Sequence, residues 1–426
     1  MSDSPKPKLL NLWIIWGFVK RYPGHIGLAM LALLVASGAT LAMPQAFRQV
    51  VDKGFGASDP NAITPYFIGL LGIVAVMAVA SAVRFYIVSW VGERVVADIR
   101  MAVHSHLLTL SPEFFEVNRP SEIASRLTAD TTLIEQVVGT SASVAMRNTI
   151  TAIGGLALLF ATSPKHAALL LLVIPITVLP IVLLGRRVRK QSRASQDRIA
   201  DVGAMADEAL GAIRIVQAFT QEQTERKRFA GAVEGAFSAA RLRILIRALM
   251  TAIVILLVFS AITLVLWEGA KDVIEGHLSG GAITAFVLWA ALVAGAFGAL
   301  TEVIGDVMRA AGAAGRLADL LATPSKIVPP AVPVALPEPP RGAVAFEHVT
   351  FEYPSRPGTS ALADFSLEIR PGETVAIVGP SGAGKSTLFQ LLQRFYDPAA
   401  GRILLDGVDI RSVDPLALRT RMAMVP

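Results

Sequence analysis

Gly379-Pro380-Ser381-Gly382-Ala383-Gly384-Lys385-Ser386-Thr387 stands between a short apolar run, Thr374–Val378, and the helix-forming stretch Leu388–Arg394. It fits the pattern G-x-x-x-x-G-K-[ST] at every fixed position. The glycines let backbone N–H groups turn inward around phosphate oxygens. Lys385 is spaced to reach the β- and γ-phosphates, and the Ser386 hydroxyl to ligate Mg²⁺. The following helix would present its partly positive N-terminus to the same anion. A buried strand, a glycine turn and a helix in that order predict a nucleotide site built from residues 379–387.

Upstream of this turn, Val344–Tyr353 alternates and is β-prone, and Ala361–Ile369 reads as a further strand. Before them, prolines at 324, 329, 330, 333, 337, 339 and 340 exclude a helix or a central strand. Residues 323–342 therefore read as a semi-rigid extended linker and a domain boundary.

On the other side of the linker the chain changes solvent. Of its 426 residues 53% are hydrophobic and only 17% charged, against about 25% charge in a soluble domain. Six apolar stretches approach the roughly 20 residues that cross a bilayer as a helix. They lie near 25–44, 66–90, 137–161, 166–185, 246–267 and 282–304. The run Leu9–Val19 is shorter. It is followed by Lys20, Arg21, Tyr22 and Pro23 rather than a small-residue cleavage site, so it reads as an interfacial helix and not a signal peptide.

Basic residues set the orientation. Arg186, Arg187, Arg189 and Lys190 follow one span, and Lys20, Arg21, Arg94 and Arg100 flank others. Loops 45–65, 162–165 and 268–281 hold only Arg48, Lys53, Lys165 and Lys271, which places them outside and both ends of the unit in the cytoplasm. The net charge of +6 thus belongs to membrane topology, and no nucleic-acid partner is expected. The absence of cysteine excludes disulfides, Cys-ligated zinc, Fe–S clusters and thiol catalysis.

Two inner connections, from Trp90 to about Gln136 and from Gly185 to about Ile246, are polar yet keep helical apolar spacing. They predict helices that run on into the cytoplasm; solvated hairpins are the alternative. Arg84 and Arg147 interrupt two spans near their cytoplasmic ends, either lining a cavity or snorkelling to the interface. Pro175, Pro180, Gly295, Gly298 and Gly305 predict kinks or close helix contact. His104 and His106, two residues apart, do not share a helix face and read as surface residues.

Taken together, these segments resemble ATP-binding cassette (ABC) exporters of the half-transporter kind. Glu113-Phe114-Phe115-Glu116 with Ser125-Arg126-Leu127 and Asp130 resembles the family's first intracellular coupling segment. Glu208–Phe219 resembles the second, Ala314–Leu321 the end of the sixth helix, and Gly401–Gly407 the hairpin after the P-loop helix. The resemblance implies a polytopic α-helical bundle of six transmembrane helices plus a truncated α/β P-loop NTPase domain. Its segments would be a cytoplasmic N-terminus with an interfacial helix (1–24), the membrane domain with helical extensions (25–322), the linker (323–342) and the beginning of a nucleotide-binding domain (343–426).

The same resemblance implies ATP and Mg²⁺ as ligands, with Gly379, Pro380, Ser381, Gly382, Ala383, Gly384, Lys385, Ser386 and Thr387 around the phosphates. Ser386 would lie on the metal and Tyr353 would stack on adenine. A flat amphipathic ring at that position suits a base, whereas the alternative is a strand-end tyrosine covering apolar surface. Phe114, Phe115 and the Ile213–Phe219 segment would contact nucleotide domains. The partner would be a second copy of the chain or a related half-transporter in a lipid bilayer, the substrate a lipid, drug or peptide, and the compartment a bacterial inner membrane.

The sequence also departs from the family pattern. Its glutamine, signature loop, acidic strand with catalytic glutamate, and switch histidine do not occur before Pro426, and residues 343–426 are fewer than half of what the domain needs. A fragment that binds nucleotide without hydrolysing it is expected, with hydrolysis reserved for a longer protein. Leu278-Ser279-Gly280-Gly281 looks like a signature loop but lies between spans five and six, opposite the P-loop, and reads as a turn before a helix. The alternative function is a nucleotide-gated or regulatory membrane binding protein without ATP turnover, which residues beyond Pro426 would decide.

Overall fold

In lipid, an apolar segment satisfies its backbone polar groups only as a helix or in a closed barrel, and this chain takes the helical route. The computed structural model describes residues 12–54 and 63–425. Lys6, Lys8, residues 9–11 of the N-terminal run, residues 55–62 of the loop expected outside and Pro426 lie outside the described residues. A short α1 (Trp13–Val19) precedes α2 (Pro23–Gln49), which ends in a π-helical turn, Val50–Gly54. Then follow α3 (Thr64–Leu107), the short helices α4 (Pro112–Val117), α5 (Pro120–Ser125) and α6 (Thr131–Gln136), and α7 (Ala142–Thr162). The helical part closes with α8 (Pro164–Gly211), α9 (Ile213–Ala218), α10 (Glu222–Ile274) and α11 (Gly280–Ala322).

Among the described residues, five helical segments are long and apolar enough to cross a membrane: Pro23–Gly54, Thr64–Leu107, Pro120–Thr162, Glu222–Ile274 and Gly280–Ala322. Each contains one of the expected spans. The remaining expected span, 166–185, falls in α8, whose apolar stretch Pro164–Ile176 is shorter. Helix α8 passes through Pro175 and Pro180 without a break. The 44, 48, 53 and 43 residues of α3, α8, α10 and α11 make rods of about 65–80 Å at ~1.5 Å per residue. A hydrocarbon core is only ~30 Å thick, so a large part of each rod lies beyond it.

The connection from Trp90 to about Gln136 is more broken than its apolar spacing predicts. Helix α3 stops at Leu107, and Pro112 and Pro120 each open a new short helix. Proline fits the first helical position but cannot continue an i→i−4 ladder.

The chain divides into two compact units, residues 1–31, 82–145 and 301–426, and residues 32–81 and 146–300. In the first, Val91, Val95, Val96, Ile99, Val103 and Leu107 form one stripe of α3. They are buried with Ile123, Ile134, Ala314, Leu317 and Leu320. Gly92 brings α3 onto the π-helical turn Val137–Ser141, where a Cβ at Gly92 would come 2.6 Å from Gly139 Cα. Arg84 is buried and donates from Nη1 to Ser143 Oγ at 2.6 Å, so it faces protein and does not snorkel.

The same unit holds an antiparallel sheet of order β2-β1-β3-β4, built from β1 (Val344–Glu352), β2 (Ser360–Ile369), β3 (Ala400–Leu405) and β4 (Val408–Asp409). Phe346 pairs with Leu367 on one side and Ile403 on the other. Helix α12 (Lys385–Leu392) buries Leu388 and Leu391 among Phe346, Val349, Phe351 and Leu362, and α13 (Pro415–Arg419) adds Leu418. The expected buried strand Thr374–Val378 is not formed: the stretch joins no ladder, and Val378 is 87% exposed. A parallel strand of that kind is held by hydrogen bonds from flanking strands, and among the described residues none lies beside it.

In the second unit Trp289 is the largest fully buried side chain, and its indole Nε1 donates to Leu41 O at 3.0 Å. Close helix contact falls at Gly154 and Gly155, where an added Cβ would come 2.5 Å from Leu41 Cδ1 and 2.6 Å from Val293 Cγ2. The expected glycines of α11 do not serve this purpose among the described residues. Nothing lies within 4 Å of a Cβ at Gly295 or Gly298, and Gly305 meets only the Arg309 side chain at 3.6 Å.

Candidate nucleotide-binding site

The turn between Gly379 and Gly384 is shaped by two glycines in left-handed backbone conformations, Gly382 at φ 84° and Gly384 at φ 80°. An L side chain is strained there. At Gly384 space forbids one as well, since a Cβ would lie 2.5 Å from Ala361 O. That carbonyl belongs to β2, so the strand fixes where the turn enters α12. Gly384 is the N-cap of α12 and has no side chain to cap it, which leaves the first-turn N–H groups to an outside acceptor. Lys385 Nζ donates to Gly379 O at 2.9 Å and Pro380 O at 2.7 Å. Its ammonium is thereby held over the same loop whose amides would meet phosphate. Ser386 is exposed beside it, and Thr387 is buried. The residues present fit a triphosphate with a bound cation.

Tyr353, at the end of β1, is brought to α12 rather than left free at the domain edge. Its hydroxyl donates to Gln390 Oε1 at 2.8 Å and lies 3.0 Å from Thr387 Oγ1. The ring packs edge-on to Phe351 and Tyr396, with centroids 4.9 and 5.5 Å away. Thr387 and Gln390 are thus part of the aromatic's setting, a link that the spacing of Tyr353 from the glycine turn does not reveal.

The site is tied to helix α4. Tyr396 Oη donates to Glu116 Oε1 at 2.6 Å, and Lys326 Nζ, in the linker, donates to Glu113 Oε1 at 2.7 Å. Burial first, and then the Glu116 carboxylate, push the Tyr396 phenol above its ordinary value of 10.0. The phenol stays protonated and keeps donating. Of the aromatic pair singled out from sequence, Phe114 packs against the α3 and α11 core and Phe115 is exposed; the polar contact belongs to Glu116. In α9, Ile213 and the following Phe219 are exposed, and none of α9 is buried.

Other candidates resolve as structure. Ser279 Oγ donates to Asp52 Oδ2 at 2.7 Å and Gly281 N donates to Asp52 Oδ1 at 2.8 Å. A Cβ at Gly281 would lie 2.5 Å from Arg48 O. The signature-like Leu278–Gly281 is therefore a packed turn opening α11. His104 is exposed, and His106 Nε2 lies 2.9 Å from Thr323 O.

A membrane helix bundle running through a short linker into a glycine-turn nucleotide site defines an ATP-binding cassette membrane protein. The ABC transporter transmembrane region matches residues 26–297, and the ABC transporter domain that carries the nucleotide site matches residues 362–426. A putative export ATP-binding/permease protein of Rickettsia typhi is 31% identical, over 96% of this chain and 71% of that protein. The mouse mitochondrial ATP-binding cassette sub-family B member 10 is 32% identical, over 97% of this chain and 58% of its own length. The mitochondrial ATP-dependent permease MDL1 of Schizosaccharomyces pombe is 29% identical, over 98% and 58%. The chain belongs to the ABC transporter family: it is a multi-pass membrane protein with an ATP-binding domain fused behind the membrane domain. It spans between about half and three quarters of the length of these relatives.

Proposed function

We propose that this protein is an ATP-driven exporter that works as a homodimer and moves a hydrophobic or amphipathic substrate (a lipid, drug or peptide) by alternating access. Its boundaries would fall near residues 25, 323 and 343. The distribution of Lys and Arg supports a cytoplasmic N-terminus and nucleotide domain, in a bacterial inner membrane. Mg²⁺, held through Ser386, would neutralise charge on the bound phosphates. Gly379–Thr387 would orient the triphosphate and Tyr353 the adenine. The exposed α9 would meet the nucleotide domain of the second copy. Closure and release of two nucleotide domains would bias a two-state arrangement of the spans.

The observation that carries this reading is the hydrogen bond between Glu116 and Tyr396. It joins the connection that follows α3 to the domain that grips nucleotide, which a passive nucleotide-binding module has no use for. The test is the intact protein in proteoliposomes supplied with Mg-ATP and fluorescent lipid, drug or peptide cargo. ATP hydrolysis with ATP-dependent movement of cargo is expected, both lost in Lys385→Ala. Retention of ATP with no hydrolysis and no transport would replace the pump with a nucleotide-gated binding protein.

A further inference from the structure

At the corner between α10 and α11 the second unit gathers a second set of chemical groups. Asp272 is buried, and the turn after Ile274 folds back on it: His277 N and Leu278 N both donate to Asp272 O, at 2.8 and 3.1 Å. Gly276, at φ 76°, makes that reversal. One ligand atom each from Asp272, Glu275 and His277 lies within 4.8 Å of the others. His277 Nδ1 is 3.4 Å from Glu275 Oε2.

A separate feature, in the first turn of α8, lies beside the Asp272 carboxylate of this cluster. His166 is 3% exposed, and its Nε2 is buried without a hydrogen-bond partner. That atom lies 3.8 Å from Asp272 Oδ2, beyond hydrogen-bond reach. A buried unpaired ring nitrogen is costly, and such atoms in native proteins commonly mark an ion or a water. The other ring nitrogen is committed: Nδ1 lies 2.9 Å from Ser163 Oγ. With Nδ1–H donating to Ser163, Nε2 is left with a lone pair. Gly269 lets Ile283 pack close, since a Cβ there would come 2.3 Å from Ile283 Cδ1, and it leaves His166 Nε2 at no less than contact distance. Lys165 Nζ donates to Asp272 Oδ1 at 2.7 Å, which orients the carboxylate and turns Oδ2 to the imidazole.

We propose that His166 Nε2, Asp272 Oδ2, Glu275 and His277 bind one divalent ion of the zinc class. Two imidazole nitrogens and two carboxylate oxygens suit Zn²⁺ and not Mg²⁺ or Ca²⁺, which take oxygen shells. Bonds of about 2.0–2.2 Å in a tetrahedron separate ligand atoms by about 3.4 Å. The observed 3.8 Å between Nε2 and Oδ2 closes to that value by small side-chain rotation, and the exposed Glu275 and His277 are free to follow. Ser163 and Lys165 supply the outer hydrogen bonds that fix a ligating imidazole and carboxylate. The ion staples the first turn of α8 to the α10–α11 corner, on the side that the basic residues assign to the exterior. It is a regulatory or stabilising site independent of ATP.

The experiment is titration of the intact detergent-purified protein, free of any polyhistidine tag, with ZnCl2 by calorimetry and with Co²⁺ by absorption. One equivalent is expected to bind, with the intense visible bands of four-coordinate Co²⁺. His277→Ala, at an exposed position, and His166→Ala should each raise Kd at least tenfold, and Ser163→Ala about tenfold. The exposed pair His348 and Asp364, 2.7 Å apart, serves as the control, and His348→Ala should leave the site intact. No saturable binding, an unchanged Kd in His277→Ala, or a six-coordinate Co²⁺ spectrum would overturn the assignment. Loss in His277→Ala with retention in a stably folded His166→Ala would put the ion on surface residues alone and equally overturn it.

Discussion

The Tyr396 hydroxyl donates to the Glu116 carboxylate at 2.6 Å, so a residue four positions beyond α12 holds the C-terminal half of α4. Around it, Phe351 and Tyr353 pack edge-on or tilted against the Tyr396 ring. The bond is charge-assisted and half-buried, a class worth about 1.5–3 kcal/mol. Tyr396→Phe keeps the ring packing and removes only the hydroxyl. ATP binding is expected to be unchanged, while ATP-dependent transport falls about tenfold for ~1.4 kcal/mol lost. Proteoliposome flux beside ATP-binding measurements checks it.

The pH dependence of that link has a definite sign. The folded phenol titrates above its unfolded value of 10.0 because burial and Glu116 disfavour the phenolate. A group raised in this way contributes its full stability below the unfolded value and loses it as pH rises toward the folded one. The Tyr396→Phe defect is therefore expected to be constant between about pH 6 and 9. The transport defect should persist through pH 10, because the folded phenol titrates higher and still carries its proton; only the stability difference between wild type and Tyr396→Phe shrinks above about pH 10.

Gly384→Ala probes the nucleotide turn. The side chain would sit in the left-handed region and 2.5 Å from Ala361 O, strain of about 1–3 kcal/mol or a displaced loop. ATP affinity should fall with little change in the helical content of the membrane region, read by nucleotide binding and circular dichroism. Gly382→Ala has the same backbone strain, but no atom lies within 4 Å of its Cβ. The smaller loss is expected there.

Asp130 and Arg316 form a two-point ion pair, with Nε–Oδ2 at 2.9 Å and Nη2–Oδ1 at 2.5 Å. Asp130 is buried in the π-helical turn that follows α5, and Arg316 lies near the end of α11. Removing the carboxylate strands a half-exposed guanidinium, so Asp130→Ala should cost about 1–3 kcal/mol. Asp130→Asn, which keeps one acceptor, should cost less. Thermal unfolding in detergent separates the two.

Much of this architecture is legible in the chain. Long apolar runs have one solution in lipid, and the glycine turn with its lysine has one familiar ligand chemistry. Five of the six expected spans lie in helices long and apolar enough to cross a membrane, and the glycine turn leads into α12 where the residues put it. Tertiary facts are less legible. Nothing local in Gly281 says that its hydrogen must clear Arg48 O, and a signature-like spelling there reflects only the Asp52 cap. Phe114 and Phe115 draw the eye because aromatics dominate interfaces, yet the polar contact is Glu116, whose partner lies 280 positions away. Thr374–Val378 reads as a strand from composition, but a strand needs neighbours, and composition does not supply them. Pro112 and Pro120 open new short helices after α3 ends at Leu107, a signal present in the sequence and outweighed there by apolar spacing.

The central claim is that nucleotide held at Lys385 moves the membrane helices. These 426 residues hold no cysteine, so a spin label at exposed position 104 of α3, introduced as His104→Cys, is their single label; any cysteine elsewhere in the intact protein is replaced by serine. Electron–electron distance measurements in nanodiscs should show one label-to-label distribution without nucleotide and a shifted one with Mg-ATP, the shift being absent in Lys385→Ala. A distribution indifferent to Mg-ATP, or shifted equally in Lys385→Ala, would contradict the account.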